Sequence, residues 1–344
     1  MSKPDPSYYG LPFVSDEFNG MPNLYLGNSG LRVSKMGLGT WKIGLPETGD
    51  GSRVGKKEAF NIFDRAVEEG VTFWDTANRY NASSGNSERV IGEWLKANPD
   101  MRRNIVLATK VFGLMDGKTP NHCRLSRLNI KESLYACLER LDIDRVDLLY
   151  FHTYDGITPS EESLSAISDL ISQDLIRYLA VSNFSKENME TYSNLSKKGF
   201  PVTVAVQNRF NILQGPNKKE KDVLDFCHKN KVSFIPWGPL GQGLLTDRYL
   251  DKAKIGKGDR LFDENAMNTM LTDVNMRKLR KLDTLSKKWD MTISEITLAY
   301  TLTLPGMGPM IPSATSIAHV KSNAKAGKVV LSAEQSQEIS MAIQ

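Results

Sequence analysis

The sequence predicts a (β/α)8 barrel preceded by a β-hairpin, and two observations lead there. Short apolar runs alternate with helical patterns along nearly the whole 344-residue chain, the order expected of a parallel sheet crossed by helices. Polar residues close three successive runs: Asp75 ends Phe73-Trp74-Asp75, Lys110 ends Ile105-Val106-Leu107-Ala108-Thr109-Lys110, and His152 ends Val146-Asp147-Leu148-Leu149-Tyr150-Phe151-His152. Runs of this kind read as strands buried on both faces. A charged group where such a strand emerges is held at the rim of a core, which is where strand–helix barrels carry their chemistry.

Taken in order, Leu24-Tyr25-Leu26 and Leu31-Arg32-Val33 flank Gly27-Asn28-Ser29-Gly30 and predict a hairpin over residues 23–34, after an N-terminal extension over residues 1–22. The first barrel strand is expected at residues 35–38. Strands beginning at Phe73 and over 105–110 and 146–152 follow, then 176–181, 202–207, 232–236 and 310–311. Helical patterns occupy residues 56–69, 87–96, 126–141, 159–172, 186–198 and 218–229, with a last helix near 332–343. Gly70 and Gly199 stand where a helix can close in the left-handed conformation, and Thr158-Pro159-Ser160-Glu161 and Thr292-Ile293-Ser294-Glu295 read as capping boxes. No linker splits the chain, so residues 1–344 are expected to form one barrel domain.

Composition agrees with a soluble catalyst. The net charge of +4 is small for this length, and no lysine- and arginine-rich stretch suggests a nucleic-acid surface. Cys123, Cys137 and Cys227 are odd in number and lack CxxC spacing, so neither a disulfide framework nor a zinc site is indicated. Residues 1–20 contain no apolar signal-peptide core, and the longest apolar runs fall short of a membrane span. These features predict a cytoplasmic protein without membrane or nucleic-acid partners.

Asp75, Tyr80, Lys110 and His152 form an acid–base set suited to reducing a carbonyl. Hydride addition builds negative charge on the carbonyl oxygen, so a proton must arrive there as the charge appears. Tyrosine, with a free pKa of about 10, is protonated at neutral pH but weakly acidic. A neighbouring ammonium favours the phenolate, and a carboxylate keeps that ammonium charged. Tyr80 is therefore assigned as donor, Lys110 as its tuner, Asp75 as partner of Lys110, and His152 as the group orienting the carbonyl. Singly, Lys110 and Asp75 would read as solvated charges, His152 as structural and Tyr80 as a loop aromatic. Their delivery at the same end of three successive strands favours the catalytic reading.

These segments, Asp75-Thr76-Ala77-Asn78-Arg79-Tyr80, Thr109-Lys110 and Leu148-Leu149-Tyr150-Phe151-His152, resemble the catalytic tetrad motifs of the aldo-keto reductase superfamily. Ser29-Gly30-Leu31-Arg32-Val33-Ser34, Gly37-Leu38-Gly39-Thr40-Trp41, Val181-Ser182-Asn183-Phe184, Val206-Gln207-Asn208, Pro236-Trp237-Gly238-Pro239-Leu240-Gly241 and Ile311-Pro312-Ser313 follow in that family's order, from about residue 23 to about 328. The resemblance implies NADP(H), possibly NAD(H), bound over the barrel mouth. Gly37-Leu38-Gly39-Thr40-Trp41-Lys42 lacks the spacing of a doubly wound dinucleotide turn. The positions matching the nicotinamide site are Ser182, Asn183 and Gln207 on the carboxamide and Trp237 on the ring, with Gly39, Thr40 and Trp41 as further candidates at the mouth. Amide and hydroxyl side chains can satisfy a carboxamide, and an aromatic ring can fix the hydride face. Alternatively, Asn183 caps the following helix and Trp237 belongs to the core.

The glycine-rich stretch Gly238, Pro239, Leu240, Gly241, Gln242, Gly243 is the phosphate candidate, with Arg248 and Arg260 following it and Arg260 expected on a 2′-phosphate. At the adenine end, where many relatives carry basic residues and a Glu-Asn pair, this chain has Ser313, Thr315, His319 and Asn323. A mostly neutral histidine is a weaker phosphate ligand than arginine. Residues 112–127, 154–157 and 248–270 are expected to line the mouth for an aldehyde, ketone or sugar-like carbonyl, joined by Trp41 and Trp74 if they face inward. The rival reading is a nicotinamide-binding redox sensor or regulatory subunit, because the resemblance extends to voltage-gated potassium channel beta subunits. His152 opposes it, since those subunits carry Asn there. An unrelated isomerase or aldolase barrel, with Lys110 as a Schiff-base or phosphate residue, is the other alternative.

Overall fold

A computed structural model describes residues 16–344 except 214, 216 and 217. Most of the expected N-terminal extension lies outside the described residues. Its last part begins a three-stranded antiparallel sheet, β1 (Glu17–Phe18), β2 (Met21–Tyr25) and β3 (Arg32–Ser34), in the order β1-β2-β3. The predicted hairpin is β2–β3, with Leu24 opposite Val33 and Tyr25 opposite Arg32. It starts two residues earlier than expected, and no local pattern marks the two-residue β1. The turn docks closely, for a Cβ on Gly27 would lie 2.1 Å from the Val204 carbonyl oxygen, so glycine is required there.

Seven parallel strands follow in chain order around one sheet: β4 (Leu38–Gly39), β5 (Phe73–Asp75), β6 (Val106–Val111), β7 (Val146–Phe151), β8 (Ile176–Ser182), β9 (Thr203–Arg209) and β10 (Ser233–Trp237). The eighth position is filled by residues 306–313, which form no continuous strand but bridge in parallel to both edges, Met307 to Phe234, Met310 to Met36 and Ser313 to Gly39. The Gly37 amide donates to the Met310 carbonyl at 2.7 Å and the Gly308 amide to Phe234 at 2.7 Å, so the barrel closes. Closure is tight at Gly39, where a Cβ would lie 2.7 Å from the Ile311 carbonyl oxygen.

Inside the barrel, Phe73, Ala108, Leu148, Tyr150, Ala180, Ala205 and Ile235 form a cluster completed by Leu26 and Val33 of the hairpin. The hairpin thus plugs the end where the strands begin. The strands finish at the other end, which is where barrels of this kind carry their chemistry.

Thirteen helices complete the described residues: α1 (Lys56–Glu68), α2 (Tyr80–Ser83), α3 (Asn86–Ala97), α4 (Arg127–Leu141), α5 (Ser160–Ser172), α6 (Lys186–Ser196), α7 (Lys218–Asn230), α8 (Arg260–Asp263), α9 (Met267–Met270), α10 (Asp273–Trp289), α11 (Ile293–Thr301), α12 (Ile317–Lys328) and α13 (Ala333–Ala342). The buried stripe of α1, Ala59, Ile62, Phe63 and Ala66, has helical spacing. Phe63 stacks on Trp74 at 4.7 Å, and Trp74 meets Trp94 of α3 at 4.9 Å. Trp74 is fully buried and does not line the mouth. Strand alternation explains the correction: Phe73 and Asp75 point into the barrel, so the residue between them points out toward the helices.

Gly70 and Gly199 take the expected left-handed conformation, φ 78° and 96°. Thr292 and Glu295 form the expected capping box of α11. The capping box expected at residues 158–161 is absent: Pro159 precedes α5 without a side-chain cap, and the Thr158 hydroxyl donates instead to Asp155 at 2.7 Å. Cys123, Cys137 and Cys227 are free thiols.

Candidate active site

Because β4 to β10 are parallel, residues at their finishing ends meet at one mouth. Asp75 is the last residue of β5, Lys110 the penultimate residue of β6, and His152 follows β7 directly. Lys110 and Asp75 are both buried, 0% and 1% exposed. Ions so removed from water need full pairing. The Lys110 ammonium donates to Asp75 Oδ1 at 2.5 Å, to the Thr76 carbonyl at 2.8 Å and to Tyr80 Oη at 2.8 Å, using all three protons. The Tyr80 hydroxyl donates to Asp75 Oδ1 at 3.2 Å.

Tyr80 is placed by an unusual turn. Asn81, Ala82 and Ser83 follow it with φ of 53°, 56° and 60°, a conformation costing non-glycine residues roughly 1–2 kcal/mol each. Asn81 anchors the turn, its amide donating to the Ile43 carbonyl at 2.6 Å. Asparagine tolerates such φ values better than most residues, which is the only trace this anchor left in the sequence. Trp41, 45% exposed, stacks on Tyr80 with centroids 5.8 Å apart, and so does reach the mouth.

The electrostatics differ from the expected tuning. Desolvation first, then the Asp75 charge and its hydrogen bond, hold the Tyr80 phenol well above its ordinary pKa. The sequence brought Lys110 to the phenol but gave no sign that Asp75 would touch it too. The result is a phenol kept protonated in the free protein. Burial lowers the Lys110 pKa and Asp75 opposes that shift. His152 is pushed down from 6.5 to about 3 by desolvation and by the charges of Lys110 and Arg79, so its imidazole is neutral. Its buried Nδ1 has no partner among the described residues. An unpaired lone pair costs less than an unpaired N–H, which puts the proton on Nε2.

The nicotinamide candidates form a chain of hydrogen bonds beside this cluster. Gln207 Nε2 donates to Asp75 Oδ2 at 2.8 Å, and the Ser182 hydroxyl donates to the Gln207 carbonyl at 2.8 Å. Asn183 donates from Nδ2 to the His152 carbonyl at 2.9 Å and accepts from Trp237 Nε1 at 3.0 Å. Asn183 is left-handed, φ 60°. It does not cap α6, whose cap is Ser185 in a capping box with Asn188. Trp237 is half-buried at the end of β10 and is not a core residue.

Gly238, Gly241 and Gly243 have φ of 68°, 56° and 94°, and nothing lies within 4 Å of where a Gly238 Cβ would stand, so that backbone is open to a ligand. Pro239 and Leu240 lie between them. Both candidate phosphate arginines already hold carboxylates: Arg248 makes two bonds to Asp259, at 2.5 and 2.9 Å, and Arg260 pairs with Glu264 at 3.0 Å while its guanidinium lies 5.7 Å from the Trp41 ring centre. Gly39 and Thr40 act within the fold. Gly39 lets the barrel close, and the buried Thr40 hydroxyl donates to the Asp75 carbonyl at 3.0 Å and contacts Ser87. The bridge to Gly39 brings Ser313 to the same mouth. His319 Nδ1 faces the Thr315 hydroxyl at 3.1 Å, burial lowers its pKa, and Asn323 is buried on α12. Among the described residues, no group of three or more metal-binding side chains gathers, and no helix is long and apolar enough to cross a membrane.

The chain is an α/β barrel with a buried Lys–Asp pair on a tyrosine where its strands finish. Residues 35–344 match the model of the Aldo/keto reductase family, and the chain belongs to that family. A probable voltage-gated potassium channel subunit beta from Arabidopsis thaliana is 30% identical over 309 residues, 89% of this chain and 90% of that protein. Versiconal hemiacetal acetate reductase from Aspergillus parasiticus is 27% identical over 303 residues, 83% and 87% of the two chains. An uncharacterized oxidoreductase, YrpG, from Bacillus subtilis is 29% identical over 320 residues, 91% and 93%.

Proposed function

We propose that this protein is an NAD(P)H-dependent carbonyl reductase in which Tyr80 donates the proton. The observation that carries the reading is the buried contact of Lys110 with both Asp75, at 2.5 Å, and Tyr80, at 2.8 Å. The nicotinamide would supply a hydride to the carbonyl carbon. Tyr80 supplies a proton to the carbonyl oxygen, and the neutral His152, with its proton on Nε2, donates a hydrogen bond to that oxygen. Lys110 stabilises the phenolate left behind, and Asp75 keeps Lys110 charged. Ser182, Asn183, Gln207 and Trp237 are the residue types a carboxamide and its ring require, and the open Gly238 backbone suits a phosphate. Residues 1–344 are read as one domain.

The likeness to a plant protein named as a potassium channel subunit supports a second reading, a nicotinamide-binding sensor with little turnover. Assay of the purified protein for NADPH and NADH oxidation against aldehydes, ketones and sugars decides between them. The reductase reading expects steady turnover with some carbonyl compound. Tight cofactor binding with only a single turnover would favour the sensor.

A further inference from the structure

Arg79 precedes the turn that places Tyr80 and has no part in the proton-transfer cluster. Its side chain is exposed and runs across the mouth over Gly113, the second residue after β6: a Cβ on Gly113 would lie 3.3 Å from Arg79 Cδ and 3.4 Å from Nε and Nη1. The guanidinium thereby lies against the backbone just past the end of β6. There the His152 amide is bonded to Val111 at 3.0 Å, and the His152 imidazole feels the Arg79 charge. Among the described residues no carboxylate pairs with Arg79. On the loops after β6 and β7 the nearest carboxylates in sequence are paired elsewhere: Asp116 holds Arg140 at 2.5 Å and Asp155 holds Arg124 at 3.2 Å.

An uncompensated guanidinium beside the reacting group is a recognition element, because its planar fork matches carboxylate and phosphate oxygens with two parallel hydrogen bonds. We propose that Arg79 is a specificity-determining residue that selects carbonyl substrates bearing an anionic oxygen group, a carboxylate or a phosphate, a few bonds from the carbonyl. This rests on the carbonyl-reductase reading.

The test compares kcat/KM of the full chain with NADPH on two matched pairs, 4-oxobutanoate against butanal and glyceraldehyde 3-phosphate against glyceraldehyde, for wild type, Arg79→Gln and Arg79→Lys. The wild type should prefer the anionic member of at least one pair, and which pair shows the preference identifies carboxylate or phosphate. That preference should shrink about tenfold or more in Arg79→Gln, the size expected of a charge-assisted hydrogen bond, chiefly through KM. Arg79→Lys should recover part of it, and added salt should erode it in the wild type. Preference for the neutral member of both pairs, or an anionic preference that survives Arg79→Gln, overturns the proposal while leaving the reductase reading intact. An equal loss on charged and neutral substrates would also overturn it, showing that Arg79 acts only through His152. Absence of turnover with all four compounds and with the wider panel removes the reductase reading and this proposal together.

Discussion

Gln207 Nε2 donates to Asp75 Oδ2 at 2.8 Å, joining residues 132 positions apart in the chain. One oxygen of the carboxylate serves Lys110 and Tyr80, and the other serves a residue proposed to hold the nicotinamide. The proposed proton donor and the proposed cofactor site therefore share one buried anion.

Replacing Gln207 by Leu should leave Asp75 Oδ2 buried without a partner, which costs about 1–3 kcal/mol or more for a charged group. Denaturant midpoints at constant slope would read this, with weaker cofactor binding measured alongside. Unchanged stability would show that the bond adds nothing to the fold.

Lys110→Met removes one member of a buried ion pair, a change that costs about 3–5 kcal/mol because the remaining charge is stranded. Turnover should fall with it. Adding Asp75→Asn removes the stranded charge, so the double variant should regain stability but not activity. Recovery of both would reduce Lys110 to a packing residue.

The neutral His152 makes a pH prediction. Its pKa is about 3 in the fold against an ordinary 6.5, so between those values the unfolded chain binds the extra proton. Its contribution is constant above about 6.5 and destabilises increasingly as pH falls toward 3. His152→Asn should therefore lose less thermal stability than wild type between pH 6.5 and 4. Parallel melting curves across that range would contradict the shift.

If Arg260 releases Glu264 to take a 2′-phosphate, Arg260→Ala should weaken NADPH far more than NADH, since hydrogen bonds to charged groups contribute about 1.5–3 kcal/mol. Fluorescence titration of both cofactors measures it. Equal losses would place Arg260 on the pyrophosphate or at the Trp41 face of the mouth.

The barrel was legible because its strands are short apolar runs closed by polar residues, and Asp75, Tyr80, Lys110 and His152 meet as their positions on parallel strands required. Gly70 and Gly199 marked helix ends correctly because their backbone conformation excludes most side chains. Other features depended on distant partners. Trp74 was ambiguous until the strand faces were fixed by Phe73 and Asp75. The cap expected from Thr158 failed because Asp155 competes for the same hydroxyl. Helix α10 carries no breaker at its start and was missed, although Thr272 caps it, accepting from the Asn275 amide at 3.2 Å. The raised Tyr80 pKa and the Gln207–Asp75 bond are properties of the closed barrel, which no local pattern encodes.

The most direct test of the account is Tyr80→Phe, measured for steady-state turnover with NADPH and a good carbonyl substrate and for cofactor affinity by fluorescence. The phenol is proposed to act on the substrate oxygen, so turnover should drop by about 10²- to 10⁴-fold while the NADPH dissociation constant stays nearly the same. A Tyr80→Phe protein that keeps most of its turnover would contradict the assignment of Tyr80 as proton donor.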